Sequence, residues 1–207
     1  PTTLVGDVAD GQRFLNEGAD FRNYTYAKYG REILKQPDYS AWQIFDAKVD
    51  HLLRDEYRIQ QVTKVHANSI EELCARMDGV DTSAALETIR QYNEAVDTTT
   101  AFNPNIKDGR STSGLDINKT NWANTLDEPP FQAYNVTCGL TFTFGGLRID
   151  STGQVLDTDL VQIPGLYAAG ELVGGLFYGN YPGGTGLMAG AVFGKLAGTS
   201  AATNRTS

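Results

Sequence analysis

Near its carboxyl end the chain reads Leu166-Tyr167-Ala168-Ala169-Gly170-Glu171, and after a short stretch Asn180-Tyr181-Pro182-Gly183-Gly184-Thr185-Gly186-Leu187-Met188. The first run is an apolar strand that stops on Gly-Glu. The second is a glycine-rich turn opening a helix of small residues. A strand ending there sets a carboxylate at the carboxyl edge of a sheet, which is where open α/β sheets bind ligands. The first N–H groups of the helix that follows have no intrahelical acceptor, and the helix dipole is positive at that end.

A carboxylate at such an edge accepts hydrogen bonds from sugar-like hydroxyls, so Glu171 is read as holding the ribityl chain of a flavin. Gly170 lets that chain pass close to the backbone. The helix start around Gly184 to Leu187 is read as facing the flavin ring near N1, where the reduced ring carries negative charge. A glycine turn before a helix is common by itself. The strand, the Gly-Glu and the turn in this order, followed by a later apolar helix, Gly190 to Ala197, are more specific.

The rest of the composition narrows the function classes. A net charge of -8 over 207 residues argues against nucleic acid, whose phosphates need a basic face. A few local arginines still suffice for a small anion. No apolar run approaches the roughly 18 residues of a membrane span, and no leader pattern sits at the start, so a soluble cytoplasmic protein is expected. Cys74 and Cys138 are far apart and His51 and His66 are the only histidines, so no metal site is expected.

Helix signals dominate the first part of the chain. Residues 21–36 carry Tyr26, Tyr29, Ile33 and Leu34 at helical spacing before Pro37. Ala41 to Phe45 reads as a strand and Asp46 to Tyr57 as an amphipathic helix with Val49, Leu52 and Leu53 on one side. Ser69 with Glu72 is a capping box, and Asp81 or Thr82 caps a helix carrying Ala85, Leu86, Ile89, Tyr92 and Val96. Residues 97–130 are polar and irregular, with hinge character. From Phe131 to Ile149 apolar residues alternate with Thr and Gly, as in strands joined by tight turns. The expected class is α/β (α+β within this stretch of chain), with a boundary near residue 128.

Gly11-Gln12-Arg13-Phe14-Leu15-Asn16-Glu17, the aromatic stretch Gly18 to Arg31, Val136-Thr137-Cys138-Gly139-Leu140-Thr141-Phe142-Thr143-Phe144-Gly145-Gly146 and Gly175 to Gly186 carry a resemblance. The chain resembles the flavoprotein family that includes fumarate reductases, 3-ketosteroid dehydrogenases and tricarballylate dehydrogenases, and resembles the last in most detail. The resemblance implies residues 1–17 as a junction from the FAD domain, 18–128 as a substrate-capping domain and 129–207 as the terminal part of the FAD domain. It also implies that the family's Gly-x-Gly-x-x-Gly segment, which binds the ADP half of FAD, precedes Pro1 in a longer protein. A fragment that holds FAD weakly or not at all is therefore expected.

The activity so implied is dehydrogenation of a CH–CH bond of a small polycarboxylate such as tricarballylate, with hydride passing to the flavin and a possible separate electron acceptor. Arg22 and Arg31 are the candidate carboxylate clamps, because a guanidinium matches a carboxylate bidentately. Tyr181, Thr141 and the Gly184 amide are the candidates on the flavin side. Phe142, Thr185, Gly186, Leu187 and Met188 join Gly170 and Glu171 as candidate cofactor contacts. Glu17 is a candidate proton-relay partner of Arg22, as in fumarate reductases, although the spacing here is one residue longer. Members that reduce fumarate carry paired histidines where this chain has Thr141 and Phe142, and an arginine where it has Tyr181. Two other readings stand beside this one: a flavoenzyme of a ketosteroid or fumarate-like substrate, and a non-catalytic remnant without FAD.

Overall fold

The computed structural model describes residues 4–7, 11–141 and 143–204. Phe142, a candidate cofactor contact, lies outside the described residues. The chain divides into two compact units, Pro1–Gly139 and Leu140–Ser207.

Unit 1 is built on an antiparallel sheet of β1 (Leu4–Asp7), β2 (Ser40–Phe45), β3 (Lys64–Ala67) and β4 (Phe131–Thr137), in the order β1-β2-β4-β3. Register pairs Ile44 with Ala133 and Gln43 with Tyr134. Alternation then sends Trp42, Ile44, Phe131 and Ala133 to one face, where α2 (Ile70–Arg76) and α3 (Thr82–Ala95) cover them with Leu73, Cys74, Ile89 and Tyr92. The opposite face carries Ala41 against Leu15 and Ile33 of α1 (Arg22–Ile33), and Phe45 and Tyr134 against Val49. The composition changes near residue 128, but β4 lies between β2 and β3, so the first compact unit runs on to Gly139.

The caps form as their residue types require. Ser69 accepts the Glu72 amide at 3.1 Å, and the Glu72 carboxylate reaches back to the Asn68 amide at 3.2 Å. Asp81, not Thr82, caps α3 by accepting the Ala84 amide.

Two expected elements take another form. Residues 46–57 are not one helix but two short 3-10 stretches, Ala47–Leu52 and Asp55–Arg58, separated by extended backbone at Leu53 and Arg54. The buried Asp46 carboxylate explains the tight start, since it accepts the amides of Lys48, Asp127 and Glu128. Of the residues expected on the apolar side, Val49 and Leu53 pack with Tyr57 against Phe45 and Tyr134, whereas Leu52 is exposed, because 3-10 turns do not keep the α-helical face. Among the described residues of 138–149 there is likewise no strand, only isolated bridges at Leu147 and Ile149.

The 97–130 stretch is irregular, but it is folded into unit 1 and does not have the character of a hinge. Trp122 is fully buried and its indole N–H donates to the carbonyls of Asn103 and Ile106. Asp108 accepts the amides of Asn103, Arg110 and Trp122. Side-chain acceptors here replace the ladder that a strand would supply.

Unit 2 holds the hairpin β5 (Gln154–Leu156) and β6 (Gln162–Tyr167) and the helix α4 (Thr185–Thr203). The hairpin core is Val155, Ala168 and Val173 with Ile149 and Ile163. The stretch Gly190 to Ala197 is the middle of α4 and not a second helix. Among the described residues no helix is long and apolar enough to cross a membrane.

Candidate functional site

The turn that follows β6 and the first turns of α4 meet at a cavity of about 220 Å³ within unit 2. Thr141, Phe144, Gly170, Glu171, Phe177 and Gly186 are among its lining residues. The two halves of the sequence signature therefore converge on one space. The strand expected to stop on Gly170-Glu171 ends at Tyr167, so Glu171 stands in a turn beyond it, and its carboxylate accepts the Thr143 amide at 3.3 Å. Gly170 adopts a φ of 83°, and a Cβ added there would meet nothing within 4 Å. A side chain at that position would grow into the open space that a ligand chain needs.

Close backbone contact holds the mouth of the cavity. Leu147 donates to the Leu172 carbonyl at 2.7 Å, and Gly174 returns a bond to Leu147 at 3.1 Å. Gly146 has a φ of 158°, and a Cβ on it would lie 2.3 Å from the Leu172 carbonyl oxygen. Only glycine permits this approach, which sets Phe144 and Phe177 on the cavity wall. Tyr181, only 5% exposed, lies edge-on to Phe144 with ring centroids 5.8 Å apart and tilted to Phe177 at 6.5 Å. Phe144, Phe177, Val173, Leu176 and Ala189 were not singled out from the sequence. Phe144 and Phe177 stand within its two motif stretches, and their apolar character was the available signal.

The helix start divides its candidates. Gly184 takes the left-handed conformation just before the first turn of α4, with φ 89°. Thr185 closes the turn, donating both its hydroxyl and its amide to the Pro182 carbonyl at 2.7 and 3.3 Å. Gly186 lines the cavity and its amide belongs to the helix end that lacks intrahelical acceptors. Leu187 and Met188 are 81% and 59% exposed and are not part of the lining.

The remaining candidates lie in unit 1. Arg22 begins α1, with its guanidinium over the Tyr26 ring at 5.6 Å. Arg31 is exposed in the last turn of the same helix. Nine residues of α-helix turn through about two and a half revolutions and rise about 13 Å. The two arginines therefore stand on opposite sides of α1 and do not form one clamp for a small molecule. Glu17 is buried in a bidentate pair with Arg13, at 2.9 Å to Nε and 2.5 Å to Nη2. That pair takes up the carboxylate expected to relay protons to Arg22. Arg13 carried no signal in the sequence beyond its spacing of four from Glu17.

One titratable group deep in unit 1 was also not anticipated. Lys119 is fully buried, and desolvation pulls its pKa down to about 8, with Glu17 opposing, Arg13 reinforcing and Asp108 opposing that shift. Burial also raises the Cys74 thiol to about 11 and pushes the Tyr92 phenol well above its ordinary value.

Residues 2–187 match the family described as FAD binding domain. The chain belongs to that family, and FAD is the cofactor that goes with it. The cavity suits one end of such a molecule: an open glycine at 170, a carboxylate at 171, apolar walls and a helix start in a single space. The chain is 35% identical over 195 residues to a fumarate reductase (cytochrome) of Shewanella frigidimarina, covering 93% of this chain and 31% of the relative. It is 28% identical over 209 residues to a 4-oxocyclohex-2-ene-1-carboxylate 5-dehydrogenase of Sinomonas cyclohexanicum, covering 94% and 35%. The solved open conformation of a flavocytochrome c3 fumarate reductase superposes with a TM-score of 0.69 at 29% identity, over 98% of this chain and 32% of that one. A 3-ketosteroid delta1-dehydrogenase from Sterolibacterium denitrificans shares the fold, with a TM-score of 0.70 at 23% identity over 99% and 39%. The chain thus spans about a third of the length of these relatives.

Proposed function

We propose that this chain is part of an FAD-dependent oxidoreductase that acts on a CH–CH bond beside a carbonyl or carboxylate carbon. One observation carries the reading: Gly170, Glu171 and Gly186 share a single cavity, so a hydroxyl acceptor, an open backbone and a helix start face the same ligand. FAD, when bound, supplies the hydride-accepting ring. Glu171 binds ribityl hydroxyls, and the Gly186 amide favours negative charge near the ring. In the fuller reading, unit 1 serves as the substrate-capping part, with residues 18–128 as its body. A preceding segment of the same protein holds the ADP half of FAD, and a separate acceptor takes the electrons.

For the substrate, a small polycarboxylate such as tricarballylate remains the first proposal, with Arg22 as a carboxylate clamp and Tyr181, Thr141 and the Gly184 amide as flavin-side contacts. Arg31 falls on the other side of α1 and serves at most a second anion. A cyclic ketone or enone carboxylate is the second reading. It is favoured by the aromatic lining of Phe144 and Phe177, against which Tyr181 packs, and by Tyr181 standing where fumarate-reducing members carry arginine. The test is anaerobic bleaching of the flavin absorbance in the loaded protein with each compound offered separately. Bleaching by tricarballylate supports the first reading and bleaching by the cyclic ketone the second. A flavin-loaded protein that neither compound reduces, and that when reduced passes no hydride to the matching unsaturated acid or dienone, overturns both.

A further inference from the structure

Lys119 stands in an irregular polar stretch, yet no part of it reaches solvent. Three ionisable groups act on it by charge, Glu17, Arg13 and Asp108, and the Arg13 guanidinium in turn lies over the Tyr92 ring, 5.2 Å from Cζ to ring centroid. Arg13 also donates to the Ile117 carbonyl at 2.6 Å, next to the lysine in the chain. Two cations and two carboxylates therefore balance in the interior. A buried ammonium is costly, and an apolar side chain of similar volume fills such a space at lower free energy.

The network surrounds the crossing of residues 16–18 under residues 119–121. The Lys119 stem packs on Gly18, where an added Cβ would lie 2.9 Å from Lys119 Cγ and 2.3 Å from the Asn121 carbonyl oxygen. Thr120 Oγ1 and Asn121 Nδ2 both donate to the Gly18 carbonyl at 2.8 Å. Asn16 Oδ1 accepts the amides of Gly18 and Thr120. One step on, Phe21 packs on the Trp122 ring at 5.2 Å and its carbonyl accepts the Tyr24 amide in the first turn of α1. Arg22 projects from that turn.

We propose that Lys119 is a positioning residue: together with Arg13 it holds the Glu17 carboxylate in place beneath the Gly18–Phe21 turn, and so fixes the first turn of α1 from which Arg22 reaches a carboxylate. The last clause rests on the clamp assigned to Arg22 above; the ordering of the turn does not.

The experiment compares Lys119→Met, Glu17→Gln and the double variant with the wild type by amide hydrogen exchange, and by KM and kcat of the flavin-loaded enzyme with tricarballylate. Lys119→Met leaves one carboxylate in excess and Glu17→Gln one cation in excess, whereas the double variant is again neutral. Exchange at residues 18–24 is expected to quicken on the order of tenfold in each single variant and by less in the double variant, with α3 and β4 unchanged. KM is expected to rise with kcat nearly constant. A Lys119→Met protein that does not fold, beside a double variant that does, is the same coupling in stronger form. Wild-type exchange at 18–24 in Lys119→Met, strictly additive effects, or loosening spread equally over α3 and β4 would each overturn the proposal. If the wild type turns over no carboxylate, the clamp reading fails alone and the exchange comparison still decides the role of Lys119.

Discussion

The Glu171 carboxylate accepts the backbone N–H of Thr143 at 3.3 Å, joining the turn after β6 to another stretch of the cavity wall. One side chain thus shapes the site and offers its other oxygen to a ligand. Glu171→Ala removes both roles. A hydrogen bond to a charged acceptor contributes about 1.5–3 kcal/mol, so flavin affinity is expected to fall about tenfold to a hundredfold. Fluorescence titration of FAD into the apoprotein reads this directly. Equal affinity in the two proteins would remove Glu171 from the site.

Tyr181 has packing and chemistry to separate. Its ring lies against Phe144 and Phe177 and is almost wholly buried, so Tyr181→Ala is expected to destabilise unit 2 by about 3–5 kcal/mol in urea unfolding. Tyr181→Phe keeps the rings and loses only the hydroxyl. If the hydroxyl polarises a substrate carbonyl, kcat falls while FAD affinity and unfolding midpoint stay at wild-type values. A Tyr181→Phe enzyme with unchanged kcat assigns the residue to the wall alone.

What the sequence made legible is what short-range rules control. The Ser69 and Asp81 caps, the strand at 41–45 and the convergence of Glu171 with the glycine turn all follow from residue type at fixed spacing. The 46–57 segment was misread because an apolar spacing such as that of Val49, Leu52 and Leu53 does not distinguish an α-helix from shorter turns that keep one side on a sheet, while the Asp46 carboxylate chose 3-10 turns and left Leu52 exposed. Lys119 was illegible for a different reason. A lysine in an Asn- and Thr-rich stretch looks solvated until the fold brings Glu17 and Asp108 to it from distant positions. Arg22 and Arg31 look alike in sequence, and only an uninterrupted α1 shows that they face apart.

The buried lysine gives the stability an unusual pH dependence. The folded pKa of Lys119 lies near 8, below the 10.5 of an exposed lysine, so the folded state releases this proton before the unfolded state does. Below pH 8 the charged form is held at a cost, and stability rises as pH climbs from about 8 toward 10.5. The full difference is on the order of 3 kcal/mol. Tyr29, Tyr57, Tyr92 and Tyr134 act oppositely: burial raises each, so their contribution is complete below pH 10 and is lost above it. The Cys74 thiol, raised by burial from 9.0 to about 11, acts in the same direction as the tyrosines from pH 9 upward, so the unfolding midpoint of the chain is expected to rise from pH 8 to about 9 and to fall beyond 10. Lys119→Met should abolish the rise and keep the fall. A rise that persists in the variant would trace to another group.

The crossing of residues 16–18 and 119–121 can be probed by comparing two glycines. Both Gly18→Ala and Gly109→Ala add one methyl group in unit 1. At Gly18 the methyl would meet the Asn121 carbonyl oxygen at 2.3 Å and its amide nitrogen at 2.7 Å, and both are backbone atoms that cannot swing aside. At Gly109 it would meet nothing within 4 Å, and only the φ of 70° opposes it. Left-handed backbone costs a non-glycine residue about 1–2 kcal/mol. Overpacking against fixed atoms costs about 1–3 kcal/mol, and more where nothing yields. Gly18→Ala is therefore expected to be the more destabilising of the two in urea unfolding, and to quicken amide exchange at residues 18–24 as Lys119→Met does. If Gly109→Ala proves the worse, the 16–18 crossing is looser than its contacts require, and the route from Lys119 to the start of α1 is broken at its first step.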